Sequence, residues 1–334
     1  MQTLLLTDIE DAASDNLKAK TTDIVCSLSQ FNLIVVAGDD AAAFMQGQFT
    51  NDINKISEQH SQINAFCNKK GRMISNFRAF QYQGNYFLTV KSNLAERSIQ
   101  HLQNYILRSH VAVQDVSDQM VILGISGDKA TRLLSEFVDN INEEIDSVTA
   151  NDDYILIRVA GEVPRYEVFC SLDKAKALWK ALSSKAETVA SGVWDYLNIQ
   201  AGLSFIDQNT SEEFVPQMAN MDLIDGISFT KGCYTGQEIV ARMHYLGKVK
   251  KRCYKVNIDT DKKPENGAKL FAENARAGQN TGAIIQAEKN PDSGYDALAV
   301  IQVADADSAL YLNDENGPKV SLGELPYSFE ITES

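Results

Sequence analysis

Residues Lys231–Glu238 read Lys-Gly-Cys-Tyr-Thr-Gly-Gln-Glu and place a thiol between two glycines, near a lysine and just before a predicted helix. Thr235 and Glu238 have the spacing of a capping box, in which each side chain bonds the other residue's backbone N–H. The pattern predicts a helix that begins near Gly236. Cys233 would then lie near the positive end of the helix dipole, which together with the lysine favours the thiolate form. The stretch therefore predicts a reactive or ligand-facing cysteine, and the alternative is a small buried residue in a tight turn.

Two further segments combine with this octapeptide into a recognisable set. Phe44–Asp52 reads Phe-Met-Gln-Gly-Gln-Phe-Thr-Asn-Asp, and Trp194–Gly202 reads Trp-Asp-Tyr-Leu-Asn-Ile-Gln-Ala-Gly. In their order along the chain, the three segments resemble the signature of the YgfZ family. Its members are folate-binding proteins related to the T-protein (aminomethyltransferase) of the glycine cleavage system. The octapeptide is the specific part of the match, and the other two segments alone are weak. The resemblance favours a functional role for Cys233.

Strand pairs interleaved with single helices are predicted up to about residue 190, and this is the pattern of split β-α-β, ferredoxin-like units. The predicted strands are 33–36, 63–67, 73–80, 86–90, 111–116, 120–125, 154–159 and 166–170, and the predicted helices are 39–46, 93–108, 128–138 and 173–182. After Cys253 only short strands separated by Gly, Asn, Asp and Pro are predicted, at 254–258, 283–287, 297–303 and 310–312. That pattern is typical of a small antiparallel barrel.

The predicted fold class is therefore α+β, with ferredoxin-like units followed by a C-terminal antiparallel β-barrel. We expect two intertwined α+β domains in residues 1–246, with boundaries near 50 and 117, and the barrel in residues 247–334. The basic segment 247–252 would connect them. The family resemblance implies the three-domain arrangement of the T-protein around a central channel.

Folate carries a flat pterin and an anionic glutamate tail, so its site requires aromatic faces, matched polar groups and cations. By the resemblance, Trp194 matches one folate-contacting tryptophan of the family, and Phe31 falls where the family has the other. Gln200 stands where relatives often carry a glutamate that accepts pterin N–H groups. The cations predicted for the glutamate tail are Arg242, Lys248, Lys250 and Lys251. The implied cofactor is tetrahydrofolate or a derivative.

The charge and the cysteines narrow the class of protein. The net charge of −14 argues against a surface that is wholly a nucleic-acid or membrane footprint, but residues 231–252 hold six basic residues and one acidic residue. This basic island suggests an anionic ligand near Cys233. The five cysteines show no zinc or iron–sulfur ligand spacing. Neither a signal peptide nor a membrane span is predicted, so we expect a cytoplasmic protein.

Three functions fit these observations. The resemblance favours a folate-binding accessory protein that supports iron–sulfur enzymes and tRNA modification, with Cys233 as the functional thiol and Lys231 beside it. Its implied partners are folate, iron–sulfur client proteins and tRNA-modifying enzymes, with direct tRNA binding left open. The first alternative is a folate-dependent aminomethyl transferase, so whether the protein is an enzyme stays open. The second alternative is an RNA-binding module.

Overall fold

Short β-branched and aromatic runs separated by turn residues form the strands of three sheets. The computed structural model describes residues 12–245, 247, 249–273 and 279–329. Within these residues the helices are α1 (Ala12–Thr21), α2 (Ala41–Gln46), α3 (Ser92–Gln103), α4 (Ala130–Leu134), α5 (Leu172–Leu182), α6 (Gly192–Gln200) and α7 (Gln237–Tyr245). The strands are β1 (Ile24–Ser27), β2 (Phe31–Ala37), β3 (Gln62–Cys67), β4 (Met73–Tyr82), β5 (Asn85–Lys91), β6 (Ala112–Asp115), β7 (Val121–Ser126), β8 (Val148–Ala150), β9 (Tyr154–Val159), β10 (Arg165–Cys170), β11 (Glu187–Thr188), β12 (Lys251–Ile258), β13 (Lys269–Ala272), β14 (Gly282–Lys289), β15 (Tyr295–Gln302), β16 (Leu310–Leu312) and β17 (Lys319–Leu322).

A six-stranded sheet has the order β11-β1-β7-β10-β9-β8. Its strands β7 and β10 carry Gly124 and Arg165, which lie beside Trp194. The pairs β1–β7 and β7–β10 are antiparallel, and Gly124 of β7 lies opposite both Cys26 and Glu167. One face of this sheet packs against α4 and α5 through a core of Leu133, Leu178 and their neighbours. A second sheet has the order β3-β4-β5-β2-β6.

The predicted C-terminal barrel is confirmed. Strands β12-β15-β14-β13-β16-β17 close into a barrel around a buried apolar core that includes Val256, Leu270, Ile284 and Ala299. The prediction missed β13 and β17, which have only four residues each and expose some of their side chains. Such short strands are held by their neighbours in the barrel rather than by a long apolar run of their own.

Two helices are shorter than predicted, and one strand lies where none was predicted. The helix predicted over 93–108 ends at Gln103, and Leu107 is 88% exposed. Its apolar side chain satisfies the helical spacing but has no core to pack against. The helix predicted over 128–138 is confined to Ala130–Leu134, and β8 (Val148–Ala150) lies between it and the predicted strand 154–159.

The chain forms two units, and both are discontinuous in sequence. The first unit consists of the described residues up to Gln46 together with Asp52–Gln62 and Phe77–Leu197. The second unit consists of Gly47–Asn51, Ile63–Asn76 and the described residues from Asn198 onward. The predicted boundaries near 50, 117 and 247 stay predictions. Among the described residues, no helix combines the length and the apolar character needed to span a bilayer.

Candidate functional site

The segment that carries Cys233 is an exposed loop held by buried side chains on both sides. Cys233 is exposed, whereas the other cysteines are all buried: Cys26, Cys67, Cys170 and Cys253. Lys231, two residues before it, and Tyr234, directly after it, are at least nine-tenths buried. The thiol is therefore presented to solvent from a loop whose two ends are anchored.

The helix after this loop begins at Gln237, next to the predicted start near Gly236. Gly236 has a φ of 86°, in the left-handed region, so α7 starts at Gln237. The hydrogen bonds of the described residues do not include the predicted pair between Thr235 and Glu238. Instead the Gln237 N–H donates to the Tyr234 carbonyl at 3.1 Å.

Gly236 adopts this conformation where a neighbouring turn approaches closely. A Cβ atom at Gly236 would lie 2.5 Å from the backbone oxygen of Asn68 and 3.0 Å from the Cα of Gly71. Both contacted residues belong to the turn that joins β3 to β4. The glycine is thus required by the packing of this turn against the start of α7.

Lys231 acts as an anchor of the loop. Its ammonium group donates to the carbonyls of Phe49 (2.6 Å) and Asn51 (2.8 Å), and it lies 5.1 Å from the ring centroid of Tyr234. Charge-assisted hydrogen bonds of this kind are stronger than neutral ones. They fix the position of Lys231, and a catalytic role for this residue stays a prediction.

Further hydrogen bonds join the Phe44–Asp52 segment to residues that shortly precede the Cys233 loop. The Thr50 hydroxyl donates to the Gly226 carbonyl at 2.8 Å and accepts from the Ala65 N–H at 2.9 Å. The Asn51 side chain donates to the Asp225 carbonyl at 2.6 Å. These contacts, with those of Lys231, make part of the Phe44–Asp52 segment a support for the thiol loop. Spacing along the sequence gave no sign of this.

Gln200 forms polar contacts with the barrel. Its amide nitrogen donates to the Asp296 carboxylate at 2.9 Å, and its amide oxygen accepts from Lys255 at 3.4 Å. A glutamate here would face the Asp296 carboxylate, and like charges at this distance repel each other. This contact explains an amide at position 200 without a ligand, and a folate contact of Gln200 stays a prediction.

Trp194 lies inside the first unit with no exposed surface. The Arg165 guanidinium is 4.3 Å from the Trp194 ring centroid, and a Cβ atom at Gly124 would lie 2.6 Å from the ring carbon Cε3. Phe31 is 1% exposed, with the Lys91 ammonium 4.5 Å from its ring centroid. A pterin would stack on either ring only after a neighbouring side chain moved. The burial favours packing roles, and folate contacts of both rings stay predictions.

A buried charged cluster, whose members are not among the predicted site residues, lies beside Trp194. Burial raises the pKa of Glu167, against the opposing effect of Arg78 and Arg165, and the carboxylate also interacts with the Trp194 side chain. Burial lowers the pKa of Arg165 to about 9. Arg78 forms a salt bridge with Asp146, and its Nε lies 3.8 Å from Glu167 Oε2.

The sequence contains a pattern that indicates this cluster. Arg165 and Glu167 are two residues apart in the strand Arg-Tyr-Glu-Val-Phe-Cys, so their side chains point to the same face of the sheet. Opposite charges inside an otherwise apolar strand indicate a buried pair. A carboxylate next to an indole also offers the polar and aromatic groups that pterin binding requires. The chemistry of this cluster therefore suits the predicted ligand, although the Trp194 ring is covered.

Not all basic residues of the basic island, residues 231–252, are exposed in the structure. Arg252 is buried and bonds both oxygens of Asp222, at 2.6 and 2.9 Å, and Lys231 is buried as described. Arg242 and Lys250 are exposed, Lys251 is half-buried, and Lys248 lies outside the described residues. The charges available to a ligand are therefore those of α7 and of the entry to β12.

Comparisons with known proteins agree on the fold and the family. The family model for the GCVT N-terminal domain matches residues 8–227. A "tRNA-modifying protein YgfZ" from Hamiltonella defensa is 34% identical over 297 residues, which cover 88% of each chain. The protein of the same name from Klebsiella pneumoniae is 30% identical over 91% of this chain and 93% of its own, and that from Yersinia pestis is 31% identical over 90% and 92%.

The fold is that of the glycine cleavage T-protein. The crystal structure of aminomethyltransferase T from Bartonella henselae superposes with a TM-score of 0.75 at 16% identity, covering 96% of this chain and 90% of that one. The expected mixture of α+β units and a C-terminal barrel is thereby confirmed. With this fold, the GCVT domain match and relatives that align along nearly their whole length, the chain belongs to the YgfZ family.

Proposed function

We propose that this protein acts in tRNA modification as an accessory to iron–sulfur enzymes, with Cys233 as its working thiol. The observation that carries the proposal is the exposure of Cys233 on a loop whose neighbours Lys231 and Tyr234 are buried. A thiol held in this way is available to a macromolecular partner, while the loop itself is fixed. The relatives named tRNA-modifying protein YgfZ supply the process.

The other cysteines are poorly suited to the same role. Burial raises the pKa of Cys26, Cys170 and Cys253 to about 12, so these thiols stay protonated at neutral pH. Burial also raises the pKa of Cys67. Since the thiolate is the reactive form, Cys233 is the thiol that a partner or an alkylating reagent meets first.

Replacing Cys233 with serine tests this function directly. In cells that lack the endogenous protein, Cys233→Ser should fail to restore iron–sulfur-dependent tRNA modification, measured by mass spectrometry of tRNA nucleosides. Gly232→Ala is the matched control, because a Cβ at Gly232 would meet no atom within 4 Å, and it should restore modification fully. Full restoration by a folded Cys233→Ser protein would return Cys233 to a structural role.

We further propose that the protein binds a reduced folate, tetrahydrofolate or a derivative. The GCVT domain match and the T-protein fold support this, together with the polar and aromatic groups around Trp194. A bound folate would supply one-carbon chemistry, while the protein's own groups would orient it. Glu167 and Trp194 would face the pterin after Arg165 moves.

The two tryptophans of the chain allow a fluorescence test of this contact. Trp179 packs only partly buried against the core of α4 and α5, and Trp194 lies beside Arg165. If folate reaches Trp194, titration with tetrahydrofolate should quench the emission of Trp179→Phe and leave that of Trp194→Phe nearly unchanged. Phenylalanine keeps most of the packing volume, so both variants should fold. Equal quenching in the two variants would remove Trp194 from the folate site.

A further inference from the structure

The turn between β3 and β4 brings two lysines to the side of α7. Gly71 has a φ of 68°, and a Cβ atom there would lie 2.8 Å from the Cβ of Ile239 and 3.2 Å from the Gly236 carbonyl oxygen. The turn therefore packs directly against α7. Its residues Lys69 and Lys70 are both exposed. Two charges more than 160 residues away in sequence thus lie next to the basic island.

Along α7, exposed side chains continue this surface. Ile239, Arg242 and Tyr245 are spaced by three residues, so they are neighbours along one ridge of the helix. Ile239 is 38% exposed, Tyr245 is 64% exposed, and Arg242 is exposed as well. The ridge leads from the lysine-bearing turn past a guanidinium to an aromatic ring.

The aromatic end of the ridge is held in place by its neighbours. The His244 ring stacks on Phe229 with centroids 3.7 Å apart, and the Tyr245 ring meets His244 edge-on at 4.8 Å. The Tyr245 hydroxyl donates to the Phe229 carbonyl at 3.3 Å. The exposed ring of Tyr245 is therefore pre-oriented, which lowers the entropy cost of stacking against a ligand.

More cations lie at the edge of the same turn. Arg72, the last residue of the turn, is exposed, and both Arg72 and Lys269 lie close enough to Lys251 to lower its pKa, an effect in which burial is the largest cause. The acidic side chains here include Glu213, which pairs with Lys269, Asp305, which opposes the lowering of the Lys251 pKa, and Glu238 on α7. The local charge stays positive although the chain carries −14.

We propose that the surface formed by Lys69, Lys70, Arg242 and Tyr245 binds tRNA directly, with the cations on backbone phosphates and Tyr245 stacked on an unpaired base. This inference rests on the proposed role in tRNA modification and names the part of the protein that meets the RNA. Single-stranded nucleic acid is bound by this combination of cations along the backbone and an aromatic ring for a base. The nine residues of α7 span about 13 Å. That length suits a run of nucleotides better than the paired carboxylates of one glutamate.

Binding of labelled tRNA to the full-length protein, followed by fluorescence anisotropy at several salt concentrations, tests the surface. Lys69→Gln/Lys70→Gln should weaken binding about tenfold and reduce the slope of log K against log salt by about 1 to 2, since each phosphate contact contributes about 0.7 to 0.9. Tyr245→Ala should weaken binding at least about fivefold with little change of slope, because a stacked base contributes about 1 to 3 kcal/mol. The matched control is Lys176→Gln/Lys180→Gln, two exposed lysines on α5, which should bind like the unmodified protein.

Two results would overturn the proposal that this surface binds tRNA. Surface variants that match the control in affinity and salt slope, with unchanged melting curves, would overturn the proposal. It would also be overturned if the surface variants lost affinity for polyglutamylated folate alone and kept tRNA affinity, because the surface would then serve the folate tail. Cys233→Ser should bind tRNA normally, so failure of the thiol proposal in cells and failure of this surface in vitro are separate results.

Discussion

Trp194→Ala should lower the free energy of unfolding by about 3 to 5 kcal/mol, the usual cost of removing a large aromatic side chain from a packed core. Trp194 has no exposed surface, and the Arg165 guanidinium lies over its ring. The variant would leave a cavity and would deprive a buried guanidinium of its aromatic partner. Urea denaturation followed by circular dichroism measures the loss.

Trp179→Ala is the matched comparison for this variant. Trp179 lies on α5 and is only partly buried against the neighbouring core, so its loss should cost clearly less than the loss of Trp194. Equal destabilisation by the two variants would contradict the packing role assigned to Trp194. The size of the effect also explains why phenylalanine, rather than alanine, is the substitution suited to the folate titration.

Gly236→Ala is the second variant for which we expect a large effect. A left-handed φ costs a residue with a Cβ about 1 to 2 kcal/mol, and here the new atom would also meet the Asn68 carbonyl oxygen at 2.5 Å. Either α7 or the turn beside it must shift, and the Cys233 loop shifts with the helix. We expect a fall in unfolding free energy of about 2 to 4 kcal/mol, together with a changed rate of Cys233 alkylation.

Gly232→Ala isolates this effect, because it makes the same chemical change four residues earlier in open space. It should alter the unfolding free energy by no more than about 0.5 kcal/mol. Alkylation by iodoacetamide, read by mass spectrometry, should proceed at the unmodified rate in Gly232→Ala and at a different rate in Gly236→Ala. A Gly236→Ala protein with unchanged stability would show that the turn is free to move away.

Local pattern was enough to place α7 near Cys233 and the barrel in the C-terminal part, because periodicity and turn residues are local properties. The left-handed conformation of Gly236 could not be predicted in this way, because the close approach of Asn68 to it joins residues far apart in sequence. The strands β13 and β17 were missed for a related reason, since four half-exposed residues become a strand only when a barrel supplies their partners.

In the candidate site, too, local features were predictable from the sequence and contacts between distant residues were not. Spacing and resemblance selected Cys233, and its exposure agrees with a functional thiol. Lys231 and Arg252 belong to the basic island of the sequence, yet both are buried and hydrogen-bonded within the protein. Lys231 donates to two carbonyls and Arg252 to the Asp222 carboxylate, and sequence spacing reveals neither contact. The cover over Trp194 likewise depends on Arg165, which a different element contributes.

The hydrogen bonds of Lys231 also determine when the thiol loop can form during protein synthesis. Their acceptors, the carbonyls of Phe49 and Asn51, precede Lys231 by 182 and 180 residues. At a translation rate of about 5 to 20 residues per second, the segment Gly47–Asn51 waits about 10 to 35 s for its partner. Contacts of such long sequence separation form late and fold slowly. In a nascent chain stalled before Lys231, the carbonyls of Phe49 and Asn51 would therefore lack the ammonium donor that holds them in the finished protein.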